Sequence, residues 1–357
     1  MYDIGDYERS LDLVLEAAGY ADLRAEQARR REAGEVHLLG IGLSIYVEVT
    51  AGTGGSEHAR IEVRPDGRAT VFTGTSPHGQ GHATAWSMLA SAELGIPMDD
   101  IDVVHGDTDL IETGGGTSGS RSLQLGGSAV AAASKATVEE GREVAARLLE
   151  AGVDDVVLDT DRGVFHVAGV PSVTKGWSDV ATEVGADGLV VVRDFEAQGP
   201  TFPFGAHDAV VDVDSETGEV RLERLIAVDD AGRILNPLLV DGQRHGGLAQ
   251  GAAQALYEQM VYDEDGNPTT STFAEYAIVS AAELPTFELV AQETPTPLNP
   301  LGAKGIGESG TIGSTPAVQN AVVDALAHLG VQHIDMPCTP ERVWRAISAQ
   351  AAAAAGG

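Results

Sequence analysis

The chain has 357 residues, 43% of them hydrophobic, so it can bury one large core or two domains that share one. Its formal net charge of −32 argues against nucleic acid or an anionic membrane as a partner, because both repel an acidic surface. The single cysteine, Cys338, excludes an internal disulfide framework and a cysteine-ligated metal cluster within this sequence. Because Met1–Tyr7 is not a basic and apolar leader and no run of about 18 apolar residues occurs, we expect a cytoplasmic protein without a membrane span.

The basic residues are unevenly divided, with three lysines against nineteen arginines. An acidic, lysine-poor surface suits a salt-rich cytoplasm, where charge repulsion is screened, although a GC-rich genome produces the same arginine excess. A halophilic origin predicts that stability falls in dilute buffer, and an unchanged melting temperature without salt would count against it.

Apolar spacing and turn residues predict the elements of the first half of the chain. In order they are a helix over Glu8–Ala33, a buried strand over Leu38–Val49, a hairpin of Ala59–Val63 and Ala69–Thr73, a helix over His82–Leu94, a short strand over Ile101–Val104 and an alanine-rich helix that ends near Ala151. Strands and helices therefore mix without strict βαβ alternation.

The second half is predicted to continue this mixture. Its elements in order are several strands within 153–194, a hairpin of Ala206–Val213 and Val220–Ala227, a helix over Leu248–Glu258, a helix from Thr315 to Gly330 with Pro316 at its first position, and a short helix over Asp335–Ile347. The fold class is therefore α+β, organised as two intertwined halves over 1–165 and 166–348 with a disordered tail at 349–357.

Four polar or glycine-rich loops each lead into a predicted helix, and they are Gly74–Gly81, Gly114–Ser122, Asn236–Gly247 and Gly302–Gly313. A glycine loop at a helix start exposes backbone N–H groups toward an anion. Four such loops in one chain indicate a large anionic ligand held by many backbone amides, such as a dinucleotide. The alternative is that the glycines only close tight helix–sheet connections.

The last loop contains a single carboxylate, Glu308, whose charged form the field of a helix start favours. Without other information it could equally be a surface glutamate. Residues 305–310 fit the G-x-G-x-x-G pattern of dinucleotide-binding Rossmann domains. We reject a nicotinamide-dependent dehydrogenase, because the proline-rich Thr294–Pro300 precedes the pattern instead of a buried strand, and the helix is expected to begin only after it, at Thr315.

Gln80 and Gln243 are further candidates, because a side-chain amide can donate to an oxo ligand without adding charge. Ordinary hydrogen bonding at a helix entry is the alternative for both. Arg121 could pair with a phosphate or with one of the 54 acidic residues. The histidines have no metal-binding spacing, so no residue is assigned as a metal ligand, and Cys338 is interpreted as a structural thiol.

Four motifs together resemble the large subunit of the molybdenum hydroxylases, the family of xanthine dehydrogenase, aldehyde oxidase and carbon monoxide dehydrogenase. They read GTSPHGQGHAT (74–84), GGGTSGSRS (114–122), DDAGRILNPLLVDGQRHGGLAQG (229–251) and NPLGAKGIGESGTIGSTPAVQNAVVDAL (299–326). The segment Tyr2–Glu8 and the SRS of the second motif are most similar to the carbon monoxide dehydrogenase-like branch. The resemblance extends from Tyr2 to about Ile347.

This resemblance implies a molybdopterin cofactor, in its cytosine dinucleotide form, and Glu308 as the catalytic base beside the molybdenum. It also implies that 1–165 and 166–348 form the two halves of the molybdopterin-binding region, with the Glu308 loop in the second. The implied cofactor-binding residues are Gly79, Gln80, Gly81, Gly116, Thr117, Ser118, Gly119, Ser120, Ser122, Gln243, Lys304, Gly305 and Gly307.

The resemblance further implies oxidation of a small aldehyde, a heterocycle or a carbon monoxide-like substrate, with water as the oxygen source. No cysteine set here can hold an iron–sulfur cluster, so an iron–sulfur small subunit and an FAD medium subunit are expected as partners in an oligomer. Large subunits of the family are about twice as long, so their N-terminal half would be supplied by another chain. The alternative is a truncated, non-catalytic remnant that binds only cofactor or partner.

Overall fold

The computed structural model describes residues 1–356, and its mixture of helices and sheets confirms the α+β prediction. The strands are β1 (His37–Val47), β2 (Ser56–Val63), β3 (Ala69–Thr73), β4 (Ile101–Val104), β5 (Val156–Asp159), β6 (Val164–Val167), β7 (Val170–Gly176), β8 (Leu189–Glu196), β9 (Phe204–Asp214), β10 (Val220–Asp230) and β11 (Glu288–Gln292). The helices are α1 (Tyr7–Ala18), α2 (Tyr20–Ala33), α3 (His82–Leu94), α4 (Ser128–Leu148), α5 (Trp177–Val184), α6 (Pro237–Leu256), α7 (Ser309–Leu326) and α8 (Pro340–Gly356).

The first sheet has the strand order β1-β9-β10-β11, antiparallel except for the parallel pair β10 and β11. Helices α6 and α7 share a hydrophobic core with this sheet, and α1 packs on it through a smaller cluster around Val14. Helix α7 approaches β1 so closely that a Cβ atom on Gly40 or Gly42 would lie 2.0 Å from a carbonyl oxygen of α7. The glycines of β1 therefore permit the contact that places the start of α7 beside the end of β1.

The second sheet has the order β4-β3-β2-β8 and packs against α3, α4 and α5 around the fully buried Trp86 and Ile61. A small sheet, β5-β6-β7, joins the same core through Phe165. The chain leaves the first sheet after β1 and returns to it with β9. The first sheet is therefore built from one early strand and three late strands of the sequence. The predicted boundary between 165 and 166 lies inside β6, and the division into two intertwined halves stays a prediction.

Several predicted elements have different limits in the structure. The helix expected over Glu8–Ala33 is divided into α1 and α2 at Gly19, whose φ of 66° is left-handed. Helix α5 interrupts the segment 153–194, which was predicted as strands alone. Helix α8 continues to Gly356 through most of the expected disordered tail, because this segment is rich in alanine, the strongest helix former.

The polar segment Asn236–Gly247 is not a loop, because α6 begins at Pro237 and not at Leu248. The Asn236 side chain caps the helix by accepting from the Leu239 N–H at 3.2 Å, and proline suits the first helical position. The glycines that suggested a loop instead permit close helix packing. A Cβ on Gly247 would lie 2.9 Å from Gly310 of α7, and a Cβ on Gly251 would lie 2.0 Å from the Ser314 hydroxyl.

Helix α7 begins at Ser309, earlier than the predicted start at Thr315, so Pro316 lies inside it. Small residues bring its first turns against α6 and β9, and a Cβ on Gly313 would lie 2.4 Å from the His207 ring. The predicted helix start at Thr315 was therefore wrong. One of the two arguments against a Rossmann site, that the helix begins only after residues 305–310, fails with it. The other argument holds, because β11 ends at Gln292 and no strand leads into residues 305–310.

Among residues 1–356, no helix is long and apolar enough to cross a membrane.

Candidate functional site

A cleft of about 580 Å³ lies where the loops of the second sheet meet α6 and the start of α7. The structure brings most of the predicted site residues to its wall, namely Gly79, Gln80, Thr117, Ser118, Gly119, Ser120, Ser122, Gln243, Lys304, Gly305, Gly307 and Glu308. Gly81 and Gly116 belong to the same loops but do not line the cleft. The cleft thus joins segments that are far apart in sequence.

The first loop, residues 74–81, enters α3 through Gly79 and Gly81, whose φ values of 106° and 85° suit glycine. Gln80 donates from Nε2 to Nε2 of His82 at 3.1 Å, which leaves the His82 proton on Nδ1. Burial, with the nearby His105 and His78, lowers the pKa of His82 to about 4. His82 is therefore neutral at physiological pH, and Gln80 is in part engaged within its own loop.

The second loop, residues 114–122, is fixed from behind by Arg121. The guanidinium of Arg121 pairs with the fully buried carboxylate of Glu57, which also accepts from the Gly115 N–H at 3.0 Å. A Cβ on Gly114 would lie 2.3 Å from Gly74, so the first two loops touch through their backbones. Of the two roles considered for Arg121, the structure shows the pairing with an acidic residue.

Ser120 joins this second loop to the loop that precedes α7. Its φ of 50° is left-handed, which is uncommon for a residue other than glycine. From this position its hydroxyl donates to Oε2 of Glu308 at 2.7 Å. A Cβ on Gly305 would lie 2.1 Å from the Ser120 carbonyl oxygen, so the two loops are also in backbone contact. An unusual backbone conformation thus places a hydroxyl on the predicted base.

Glu308 occupies the N-cap position of α7, and its exposed side chain faces the cleft. The unpaired N–H groups of the first turn favour a negative charge at this position. A second carboxyl, Glu48, lies beside it at the end of β1 and is 8% exposed. Sequence reasoning missed Glu48, although an isolated carboxylate between Val47 and Val49 in an otherwise apolar strand was a usable signal.

Lys304 lines the cleft, but its side chain does not point to a ligand. The ammonium group is fully buried, donates to the Ile4 carbonyl at 2.7 Å and lies 3.7 Å from Oδ1 of Asp230. Burial lowers its pKa, an effect opposed by the charge of Asp230. The prediction that Lys304 binds a cofactor is thereby restricted to its backbone, since its charge holds the N-terminal segment on the first sheet.

Gln243 lies on α6 and faces the α7 side of the cleft. A Cβ on Gly307 would lie 3.8 Å from Gln243 Oε1, so this amide borders the same space as Glu308. The cleft also has apolar walls from Leu123, Leu239 and Trp86, which sequence reasoning did not assign. A buried tryptophan one turn into α3, directly after a glycine loop, was the available signal for this wall.

The wall fits a ligand with many hydrogen-bond acceptors. Nε1 of Trp86 and Nδ1 of His82 are buried without an acceptor among residues 1–356, and a buried unpaired donor is costly. Open space beside Gly79 and Gly119 leaves their backbone uncovered. Within the same described range, no group of three or more His, Cys, Asp or Glu side chains could hold a metal ion. The uncovered backbone and the unpaired donors suit an organic, anionic cofactor.

Comparison with known proteins places the chain beside redox enzymes. The model of the molybdopterin cofactor-binding domain matches residues 13–285. The carbon monoxide dehydrogenase large chain of Hydrogenophaga pseudoflava is 40% identical over 97% of this chain and 45% of the relative. A subunit gamma of the 6-hydroxypseudooxynicotine dehydrogenase complex of Paenarthrobacter nicotinovorans is 36% identical over 96% of this chain and 44% of the relative. The chain thus spans about half the length of these curated relatives.

Solved structures give the same result. The reconstituted CO dehydrogenase from Oligotropha carboxidovorans superposes with a TM-score of 0.90 and 35% identity, over 99% of this chain and 46% of that chain. Quinoline 2-oxidoreductase from Pseudomonas putida 86 superposes with a TM-score of 0.85 and 34% identity, over 96% of this chain and 46% of that chain. These matches cover 96–99% of this chain, and so include both hydrophobic cores and the segments that line the cleft.

Proposed function

Because this chain belongs to the molybdopterin cofactor-binding family of the molybdenum hydroxylases, we propose that it is the molybdopterin-binding part of an oxidoreductase with Glu308 as general base. The substrate would be a small aldehyde, a heterocycle or a carbon monoxide-like molecule, with water as the oxygen source. The observation that carries the proposal is the carboxylate of Glu308, held by Ser120 at 2.7 Å at the mouth of a glycine-lined cleft.

The cofactor proposed for the cleft is molybdopterin cytosine dinucleotide. When bound, its molybdenum supplies a two-electron acceptor and a Lewis acid that activates water. The backbone of Gly79 and of residues 117–122 would hold its acceptor-rich parts, beside the unpaired donors of His82 and Trp86. Gln80 and Gln243 would contact it from the two sides, since neutral amides add no charge.

Glu308 has the position that a general base requires. It lies at a helix N-terminus that favours its ionised form, and its Oε2 is already oriented by the Ser120 hydroxyl. The second oxygen remains available to accept a proton within hydrogen-bond reach in the cleft. Leu239 and Trp86 give another part of the same cleft an apolar wall.

The proposed assembly contains further chains. The chain spans about 45% of its relatives, and in the proposed assembly another polypeptide supplies the remaining half of the large subunit. The sequence has a single cysteine, buried as Cys338, so electrons would leave through an iron–sulfur small subunit and an FAD medium subunit. The whole would be a cytoplasmic oligomer.

A non-catalytic remnant that binds only cofactor or partner is the second candidate. The genomic neighbourhood separates the two. An adjacent reading frame for the other half, with iron–sulfur and flavin subunits beside it, supports the enzyme, whereas an isolated frame supports the remnant.

The central test is Glu308→Gln in the native complex. Because the size is kept and the base removed, we expect turnover to fall by at least about 100-fold while molybdenum and nucleotide content stay unchanged. The matched control is Glu264→Gln, which alters an exposed glutamate outside the cleft and should leave turnover intact. Wild-type turnover in E308Q would exclude Glu308 as the base.

A further inference from the structure

Glu48 is a buried carboxyl at the edge of the cleft to which the proposed function gives no role. It follows the last residue of β1, and its backbone N–H donates to the Pro203 carbonyl at 2.9 Å, so its position is fixed. Its neighbours Val47 and Val49 offer its side chain no polar partner. Burial penalises the charged form of a carboxyl, so the presence of Glu48 in this environment requires an explanation.

Polar groups from two other parts of the chain surround the Glu48 carboxyl. From the start of α7, the Ser309 hydroxyl lies 3.5 Å from Oε2 of Glu48, and the Glu308 carboxyl is beside it. From the second loop, Ser120 reaches both Glu48 and Glu308. Glu48 therefore lies beside the proposed base and is linked to it through the Ser120 hydroxyl.

The other titratable groups nearby form a separate buried network. Tyr46, two residues before Glu48, donates to Oδ1 of Asp229 at 2.7 Å. His207 and Arg244 contact the same carboxylate at 2.7 and 2.8 Å. Burial alone would raise the pKa of Asp229, but the contacts with His207 and Arg244 hold it well below its ordinary value. Asp229 is therefore paired already, and Glu308 is the charged group that acts on Glu48.

Two carboxyls in contact share a site that does not favour two negative charges. Burial, followed by the charge of Glu308, raises the pKa of Glu48 to about 7. Glu308 is exposed and occupies the N-cap position of α7, where the helix field favours a negative charge, so the proton belongs on Glu48. A protonated carboxyl has an O–H donor that its ionised form lacks.

We propose that Glu48 is a positioning residue for Glu308, whose carboxylate it holds toward the cleft by donating a hydrogen bond from its protonated side chain. Ser120 supplies the second donor, so the base is oriented from two sides. When rising pH ionises Glu48, repulsion replaces this hydrogen bond and Glu308 turns away. The catalytic consequence rests on the proposed function, whereas the coupling of the two carboxyls does not.

The coupling is tested by infrared titration of the purified native complex in a D208N background, which removes another buried carboxyl that titrates near neutral pH. The difference between this background and D208N/E48Q isolates the carboxylic acid band of Glu48. We expect this band to disappear with a midpoint near pH 7, and to shift down by about one pH unit when Glu308→Gln is added. A midpoint that E308Q does not move, or a band already absent at pH 6, would overturn the proposal.

The positioning role is tested by comparing Glu48→Gln with Glu48→Leu. Glutamine keeps a neutral donor that cannot ionise, so E48Q should retain wild-type turnover at pH 6 and lose the alkaline decline of kcat. E48L lacks the donor and should lose about 10- to 100-fold at every pH with its molybdenum content unchanged. Equal pH profiles for wild type and E48Q would contradict the role. If the complex proves inactive, only the proposed function fails, and the infrared coupling still decides the assignment of Glu48.

Discussion

The two walls of the cleft are built in different ways. The wall from the second sheet consists of glycine-rich loops, and its ion pair, Arg121 with Glu57, lies behind the surface as an anchor. The wall from the first sheet presents the carboxyl of Glu308, and Glu48 lies buried beside it. Under the proposed function, one wall holds the ligand through its backbone and the other supplies the reacting side chain.

We expect the largest effect on stability when the ion pair of Arg121 with Glu57, the anchor of the wall from the second sheet, is removed. Glu57→Leu leaves the Arg121 guanidinium, only 14% exposed, without its partner and the Gly115 N–H without an acceptor. We expect the free energy of unfolding to fall by about 3–5 kcal/mol, together with loss of bound cofactor. Urea unfolding measures the change, and Glu57→Gln, which keeps an acceptor, should restore part of it. If E57L were as stable as wild type, the ion pair would not be the anchor.

A buried acid on the first sheet outside the cleft sharpens the comparison. Asp208 of β9 has no hydrogen-bond partner among residues 1–356, and burial raises its pKa from 3.8 to about 7 despite Arg224 and Arg24. Between these two values the folded chain binds more protons than the unfolded chain, so stability falls as pH rises. Asp208→Asn should remove roughly 3–4 kcal/mol of this fall between pH 4 and pH 7.

Thermal unfolding at several pH values checks this expectation. The exposed Asp265→Asn serves as the control and should keep the wild-type slope. An identical slope in D208N would mean that Asp208 is ionised in the folded chain.

The contact between the two walls gives a smaller effect. Gly305→Ala would place a Cβ 2.1 Å from the Ser120 carbonyl oxygen, which must then move, whereas the nearest atom to a Cβ on Gly307 is 3.3 Å away. We expect G305A to destabilise the chain by about 1–3 kcal/mol and G307A to have little effect on stability. Equal melting temperatures for the two variants would show that the walls are not in tight contact.

The sequence predicted the wall of the second sheet more fully than the wall of the first. Glycine loops before helices are local patterns, and α3 was predicted with its observed limits. The glycines of α6 were misinterpreted as a loop because their reason is a neighbouring helix, a contact that no local pattern contains. The pairing of Lys304 with Asp230 and of Glu48 with Glu308 likewise depends on residues that are distant in sequence.

The resemblance to a family identified Glu308 without any of these contacts, yet it could not show what orients the side chain. The left-handed Ser120, the N-cap position of Glu308 and the buried Glu48 become visible only when the strands and helices are assembled. The family motif also did not show that the buried ammonium group of Lys304 contacts the Ile4 carbonyl, and the role of Lys304 as a ligand stays a prediction.

Elemental and nucleotide analysis of the native complex, purified with the chains that accompany this one, tests the proposed cofactor most directly. We expect molybdenum and cytosine nucleotide in equal amounts, near one per copy of this chain. A complex that oxidises its substrate without molybdenum would contradict the proposal.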